Sequence, residues 1–205
     1  MVEKNKNLKE GTILMSIGAL LLIASLLLTI FNLWDEKRAA GSADETLQRV
    51  QSEMEKVTWE AEVVPDYVVH PDMEMPTVTV DDCAYIGKLE IPVLGLSLPV
   101  MDSWSYPKLR IAPCRYTGSA YKDNLIIAAH NYSTHFGQLK SLIEGDNVIV
   151  IDVDKNEFLY EVVELETLDK TAVAEMEAGE WDLTLFTCTK GGNMRMVVRC
   201  QRISE

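Results

Sequence analysis

Residues 183–203 read LTLFTCTKGGNMRMVVRCQRI and contain two β-strand patterns joined by a turn. The first run is rich in apolar and β-branched residues and ends at Cys188. Two glycines follow it, and the second run starts one residue before Arg195. Adjacent antiparallel strands would bring Arg195 back beside Cys188.

A thiol and a guanidinium in this arrangement suit nucleophilic catalysis. The thiolate is the reactive form of cysteine, and a nearby cation favours it. A guanidinium also offers fixed N–H donors to the oxyanion that forms when a carbonyl is attacked. Cys188 is therefore a candidate nucleophile and Arg195 a candidate oxyanion partner, although a free cysteine is also common as a small buried apolar residue.

The run LIIAAHN at residues 125–131 is an apolar strand that ends in a histidine. Histidine is the usual proton shuttle near neutral pH. A thiol nucleophile needs a partner that accepts its proton and later protonates the departing amine. His130 is the candidate for this role ahead of His70 and His135, although a histidine at a strand end can equally be an ordinary surface or capping residue.

Strand patterns also fill most of the region from Cys83 to the C-terminus. Runs rich in Val, Ile, Leu and Tyr, separated by turn residues, predict strands at residues 86–93, 97–101, 125–130, 147–153, 158–168, 183–188 and 194–203. Seven or eight strands over about 120 residues predict a mainly β fold, a closed or nearly closed barrel. Short helices are predicted only at residues 136–142 and 171–178.

An uncharged apolar run occupies residues 11–34. As a helix it would be about 36 Å long, enough to cross a hydrocarbon layer of about 30 Å. A cleaved signal peptide is the alternative, with Ala39, Ala40 and Gly41 as a cleavage site, but its apolar region is normally only about 7–15 residues. Three lysines precede the run and two basic residues follow it, which favours an N-terminus inside the cell.

These patterns give four predicted regions. They are a cytoplasmic tail at residues 1–10, a transmembrane signal anchor at 11–34, an extracytoplasmic helix and linker at 35–81, and a catalytic β-barrel at 82–205. Leu47, Val50 and Met54 are spaced as in a short amphipathic helix within residues 43–62. Residues 64–80, here called the strap, contain three prolines and predict an extended linker or a cover laid over the domain.

The overall charge and the cysteine spacing exclude several classes of function. The chain has 19 Lys and Arg against 32 Asp and Glu, a net charge of −13. Nucleic-acid binding requires a cationic surface, so no nucleic-acid partner is expected. Cys83, Cys114, Cys188 and Cys200 form no CxxC pair and no zinc-type spacing, so no metal or cofactor is expected. Outside the cell two disulfides are possible, but the spacing does not pair the cysteines, and a nucleophile must stay free.

Three ordered segments together resemble the sortase family. The motif TLxTC at residues 184–188, with Arg195 on the next strand, is similar to the family's most specific signature. The run HNYSTHFGQLKSL at residues 130–142 is similar to its histidine segment, and IGKLEIP at 86–92 resembles an opening strand. The resemblance covers residues 82–205, and class D or class A members are the most similar.

This resemblance implies a membrane-anchored cysteine transpeptidase with its catalytic domain outside the cell. By analogy, Cys188 would attack the Thr–Gly bond of an LPxTG-like sorting signal on a secreted protein, with His130 as acid and base and Arg195 on the oxyanion. Thr187 would help to position the oxyanion or the substrate, although an ordinary strand residue would give the same pattern. An amine of a cell-wall precursor, or a lysine of a pilin or other surface protein, would resolve the thioester. Two alternatives stay open: an extracellular cysteine peptidase that passes the acyl group to water, and a non-enzymatic membrane-anchored β-barrel binding module. In papain-like enzymes Cys precedes His, which is the reverse of the order here.

Overall fold

The computed structural model describes residues 2–56, 64–189 and 191–203, with side chains from residue 13 onward. The chain divides into two compact units, Met1–Arg38 and Ala39–Glu205. The first unit is formed by the N-terminal part of helix α1, which spans Val2–Glu55. From Ile13 on, this helix is long and apolar enough to cross a membrane by length and composition. The large apolar side chains between Ile13 and Trp34 are exposed, as a helix that contacts lipid would require.

Among its described residues, the second unit contains nine β-strands and short helices. In chain order the elements are α2 (Asp66–Val69), β1 (Val78–Val80), β2 (Cys83–Ile91), β3 (Leu96–Met101), α3 (Tyr106–Leu109), β4 (Cys114–Thr117), β5 (Leu125–Ala129), β6 (Asn147–Asp152), β7 (Glu157–Asp169), α4 (Val173–Glu177), β8 (Leu183–Cys188) and β9 (Met194–Arg202). Three single 3₁₀ turns lie at Pro92–Leu94, Ala120–Lys122 and Leu139–Ser141.

Eight of these strands form a closed barrel. Their order is β2-β3-β4-β5-β8-β9-β7-β6, and a β2–β6 pairing closes the ring, while β1 lies at the edge beside β2. The neighbours are antiparallel except for the parallel pairs β3–β4 and β5–β8. Closure leaves no unpaired edge within the ring, which stabilises an all-β fold of this size. The predicted seven- to eight-stranded barrel with short helices and an N-terminal apolar helix is confirmed.

Glycine at position 87 permits the closing pair of strands to meet. Gly87 has a φ of +143° and lies at an irregularity in the β2–β3 register. It faces Asp152 on β6, and a Cβ built on it would lie 1.9 Å from the Ile151 carbonyl oxygen. A side chain therefore cannot be accommodated there without moving β6.

The core lies inside the barrel and extends to the end of α1. The main cluster packs Leu125 and Ile127 of β5 against Leu183 and Leu185 of β8, all fully buried. A second cluster contains Val50 and Met54 of α1 together with strand residues. The predicted amphipathic helix of residues 43–62 is thus present through Glu55 as the end of α1, and residues 57–63 lie outside the described part of the chain.

The strap packs on the barrel as a cover. The Tyr67 ring stacks on Tyr121 with a centroid separation of 4.7 Å, and Met75 is buried in the main cluster. The carboxylates of Asp72 and Glu74 pair with barrel cations at 3.4 and 3.7 Å, and the last three strap residues form β1. The strap therefore belongs to the folded domain and is more than a linker.

Some local predictions needed correction. Strands β1 and β4 were not predicted, because runs of three and four residues are too short to show an alternating pattern. The helix predicted at residues 136–142 is only the 3₁₀ turn Leu139–Ser141. Before it, the backbone N–H groups of His135 and Gly137 both donate to the Tyr132 carbonyl, which makes a tight turn instead of a helix. The other predicted helix is present as α4.

Candidate active site

Strands β8 and β9 place Cys188 directly opposite Arg195. These two residues are the last register pair of the antiparallel ladder, next to the turn that joins the strands. Opposed residues in such a ladder project to the same face, so the thiol and the guanidinium share one surface. Both side chains are partly exposed, and Arg195 Nη1 donates to the Gly192 and Met194 carbonyl oxygens at 3.3 Å. The turn thus holds the guanidinium beside the thiol.

The end of β5 brings His130 to the same place. Strand β5 runs parallel to β8, and its last residue, Ala129, pairs with Thr187. His130 is the next residue along the chain and therefore lies beside Cys188. The His130 carbonyl accepts a hydrogen bond from the Phe136 N–H at 3.1 Å, and its ring lies 5.1 Å from that of Tyr132. These two contacts tie the loop that follows β5 to His130.

Thr187 connects the two strands that carry the histidine and the cysteine. Its hydroxyl donates to the Ala129 carbonyl at 2.8 Å, and the residue is only 4% exposed. Because the hydroxyl proton is already donated and the residue is buried, Thr187 can offer a substrate only the hydroxyl lone pairs and the edge of its methyl group. Its clearest physical effect is to fix the separation of the β5 and β8 ends.

His130, Cys188 and Arg195 line one cleft of about 270 Å³, and part of its wall is aromatic. The rings of Tyr116 and Phe186 meet edge to face with their centroids 5.3 Å apart, and Trp104 stacks on Tyr116 with a centroid separation of 5.6 Å. Tyr106 meets Trp104 edge-on at 5.9 Å and is 74% exposed. Aromatic and apolar surface with a few convergent polar groups is typical of a ligand site.

The opposite wall comes from the connection between β7 and β8. Val173 and Met176 of α4 line the cleft, as do Asp169 and Lys170 just before the helix. The Thr171 side chain and N–H donate to the Asp169 carboxylate, and these bonds, with weaker help from Lys170 and Arg195, hold the pKa of that carboxyl below its ordinary value. Asp169 is therefore an anion near Arg195 at neutral pH.

Sequence reasoning missed both walls of the cleft. The aromatic residues stand on three separate segments, so no local pattern groups them. The nearest signal was the WSY sequence at residues 104–106, where two aromatic side chains stand close together outside any predicted strand. The sequence of α4 predicts only an ordinary short helix. The barrel topology, which no local pattern specifies, places this helix near Cys188.

The other cysteines differ from Cys188 in their surroundings. All four are free thiols. Burial raises the pKa of both Cys114 and Cys200 to about 12, so they remain protonated and unreactive at neutral pH. Cys83 is partly exposed but lies on β2, away from the cleft residues.

Comparison with known proteins identifies the family. A family model described as "Sortase domain" matches residues 89–203. A protein called Sortase A from Bacillus anthracis is 31% identical over 176 residues, which cover 80% of this chain and 82% of that protein. Sortase D from Bacillus subtilis is 28% identical over 107 residues, or 50% of this chain and 53% of that protein. The expected similarity to classes A and D agrees with these two relatives.

Solved structures show the same fold. Sortase C from Clostridium perfringens, solved with the C-terminal cell wall sorting motif, aligns with a TM-score of 0.61 at 19% identity, covering 80% of this chain and 100% of that one. A Sortase D5 transpeptidase from the same organism gives 0.59 at 17% identity, with 80% and 99% covered. The sequence matches and the shared barrel lead to one conclusion: the chain belongs to the sortase family of cysteine transpeptidases.

Proposed function

We propose that this sortase cleaves an LPxTG-like sorting signal at the Thr–Gly bond and transfers the protein to an amine acceptor. The carrying observation is the pairing of Cys188 with Arg195 at the end of the β8–β9 ladder, with His130 at the end of the adjoining strand. A nucleophile, a proton shuttle and a cationic hydrogen-bond donor then surround one carbonyl.

In the first half-reaction the Cys188 thiolate attacks the threonine carbonyl carbon. The developing oxyanion receives N–H bonds from Arg195, whose planar group is held by the turn carbonyls. The tetrahedral intermediate collapses when the C–N bond breaks, and His130 gives its proton to the departing glycine amine. The product of this step is a thioester on Cys188.

In the second half-reaction an amine attacks the thioester. His130, now neutral, removes a proton from that amine, and the thiolate leaves as a new amide bond forms. The acceptor is an amine of a cell-wall precursor or a lysine of another surface protein. The apolar, largely aromatic cleft favours this outcome because it limits the access of water to the thioester.

Thr187 contributes by holding the cleft geometry through its bond to Ala129, and it is one of the residues that line the cleft. The anchor is part of the same proposal. The apolar part of α1 would hold the catalytic unit at the outer face of the cell membrane. Tethering would raise the effective concentration of secreted substrates and lipid-linked acceptors.

The test is mass spectrometry of the purified full chain, in detergent, with a library of candidate pentapeptides and a small primary amine. We expect amide-linked products from LPxTG-like members, and none from Cys188→Ala. If water alone accepts the acyl group at saturating amine, the chain acts as a peptidase and transfer is refuted. If the Cys188→Ala variant still forms thioester or product, the assigned nucleophile is wrong.

A further inference from the structure

A second arginine on β9 is buried on the outer face of the barrel. Alternation along β9 places Arg199 on the same face as Arg195, while Val198 and Cys200 face the inner core. An arginine on that face would normally reach solvent. Arg199 is nevertheless only 2% exposed, because the connection between β7 and β8 covers it.

The Arg199 guanidinium lies at the centre of a buried cluster of hydrogen bonds. Its Nε donates to the Glu166 carboxylate at 2.7 Å, and its Nη1 donates to the Thr184 hydroxyl at 3.0 Å. The remaining bonds go to backbone carbonyls of the covering connection, to Met176 at 2.8 Å and to Glu175 at 2.8 Å. Each arm of the planar group therefore has a partner, which is the condition for keeping a charge buried.

Both of these carbonyls belong to α4, a short helix that has no side-chain capping of its own. The helix is five residues long, makes no side-chain hydrogen bond at its N-cap and has no basic residue in its last turn. A helix this short is not stable on its own in water. A cation that binds the last carbonyls satisfies their hydrogen-bonding capacity and opposes the negative end of the helix dipole. Arg199 supplies that cation from a neighbouring strand.

Two side chains of α4 form part of the wall of the catalytic cleft. Val173, 48% exposed, and Met176, 5% exposed, are among the residues that line it. The position of this wall is therefore set by a residue four places beyond Arg195 on the same strand. Because the Arg199 guanidinium is buried and bonded to Glu166, Thr184 and α4, it is not placed to hold an oxyanion in the cleft.

We propose that Arg199 is a positioning residue that fixes the α4 wall of the cleft and thereby sets the affinity for the donor peptide, while the reactivity of the Cys188 thiol is independent of it. The inference rests on the proposed function, since the wall binds the apolar side chains of the same sorting signal. Lysine cannot replace Arg199, because a single ammonium cannot reach Glu166, Thr184 and both α4 carbonyls together.

The kinetic test compares Arg199→Lys with Arg202→Lys in the detergent-solubilised full chain. Arg202 is a matched control on the same strand, where it pairs with Asp123 at 2.7 Å and lies outside the residues that line the cleft. With a quenched Leu-Pro-Ala-Thr-Gly peptide, we expect kcat/KM of Arg199→Lys to fall about 10- to 100-fold, mainly through KM. We expect kcat/KM of Arg202→Lys to equal that of the parent chain.

Two further readouts separate positioning from general damage. The rate of Cys188 alkylation by iodoacetamide should stay within about twofold of the parent rate in Arg199→Lys, because a small reagent does not need the wall. In a double-mutant cycle, Arg199→Lys should add little to Val173→Ala, since both act through α4. A fall in kcat with unchanged KM, a matching fall in alkylation rate, or fully additive effects would each overturn the inference.

A substrate-free measurement keeps this inference separate from the proposed function. Hydrogen exchange of the α4 amides should be about tenfold faster in Arg199→Lys than in the parent, with β8 and β9 unchanged. Unchanged α4 exchange overturns the inference even if the peptide is cleaved. A parent chain that cleaves no peptide overturns the proposed function alone. If Arg199→Lys does not fold, Glu166→Gln replaces it, because this change removes one partner of the guanidinium. Glu166→Gln should raise KM less than about 10-fold above the parent value and should speed hydrogen exchange of the α4 amides. A parent-like KM and parent-like exchange in Glu166→Gln would overturn the inference.

Discussion

At the residue scale, the proposed chemistry depends on the shape of the Arg195 side chain as well as its charge. Arg195→Lys keeps the positive charge but loses the planar fork that donates to the turn carbonyls and the oxyanion. We expect kcat to fall about 100- to 1,000-fold while the far-UV circular dichroism stays unchanged. Steady-state kinetics measure the loss, with Arg202→Lys as control. Near-normal turnover would mean that a backbone amide holds the oxyanion, since the donors of Arg199 are engaged elsewhere.

Thiol reactivity gives a second prediction at this scale. A methanethiosulfonate reagent at pH 7 should label Cys188 quickly and leave Cys114 and Cys200 unlabelled, because burial raises the pKa of both to about 12. Peptide mapping after a short exposure gives the order of labelling. The native chain and a Cys188→Ala control should differ by one fast site. Rapid labelling of Cys200 would contradict the burial that the barrel assigns to it.

At the element scale, the barrel requires glycine where β2 meets β6. Gly87→Ala should lower the free energy of unfolding by about 2–4 kcal/mol, because the new Cβ would overlap the Ile151 carbonyl. Gly95→Ala is the matched control, since Gly95 also has a positive φ, +62°, but nothing lies within 4 Å of its Cβ position. That control should cost only about 1 kcal/mol. Denaturant unfolding of the domain measures both, and equal losses would show that steric closure at β6 is unimportant.

The strands were predictable from sequence to the extent that alternation and turn residues mark them. Strands β5 to β9 were predicted within a few residues, because each is at least five residues long and bounded by polar turns. The parallel contact of β5 with β8 joins segments more than fifty residues apart, and no local pattern specifies it. The proximity of His130 to Cys188 was therefore obtained from family resemblance and could not be derived from spacing.

The contribution of Arg199 shows a different limit of the sequence. Alternation along β9 puts Arg199 on the same face as Arg195 and does not distinguish the two side chains. Only the folded β7–β8 connection, which supplies the Glu175 and Met176 carbonyls, makes Arg199 a buried anchor and leaves Arg195 in the cleft. The same pattern in sequence thus gives two different roles, decided by a tertiary contact.

At the scale of the whole molecule, the strap and the end of α1 are part of the folded unit. Val50, Met54, Met75 and Val80 are each at most 7% exposed. Their removal would withdraw roughly 6–10 kcal/mol of apolar burial, comparable with the total stability of a domain. A chain beginning at residue 39 should be soluble and active on peptides, whereas one beginning at residue 82 should aggregate or unfold at a much lower temperature.

Size-exclusion chromatography and thermal unfolding of the two truncations give the comparison. Equal stability would show that the buried contacts of α1 and the strap contribute little. Full peptide activity in both would also show that the strap, which contributes no residue to the described cleft lining, is dispensable for the site.

The central claim is that the acyl group passes through Cys188 on its way to an amine. The most direct measurement is peptide mapping by mass spectrometry of the full chain after brief incubation with the Leu-Pro-Ala-Thr-Gly peptide, followed by addition of a primary amine. The account predicts an acyl adduct on the peptide that contains Cys188, and the loss of that adduct as an amide product of the amine appears. Product formed without any adduct at Cys188, or an adduct that only water discharges, would contradict it.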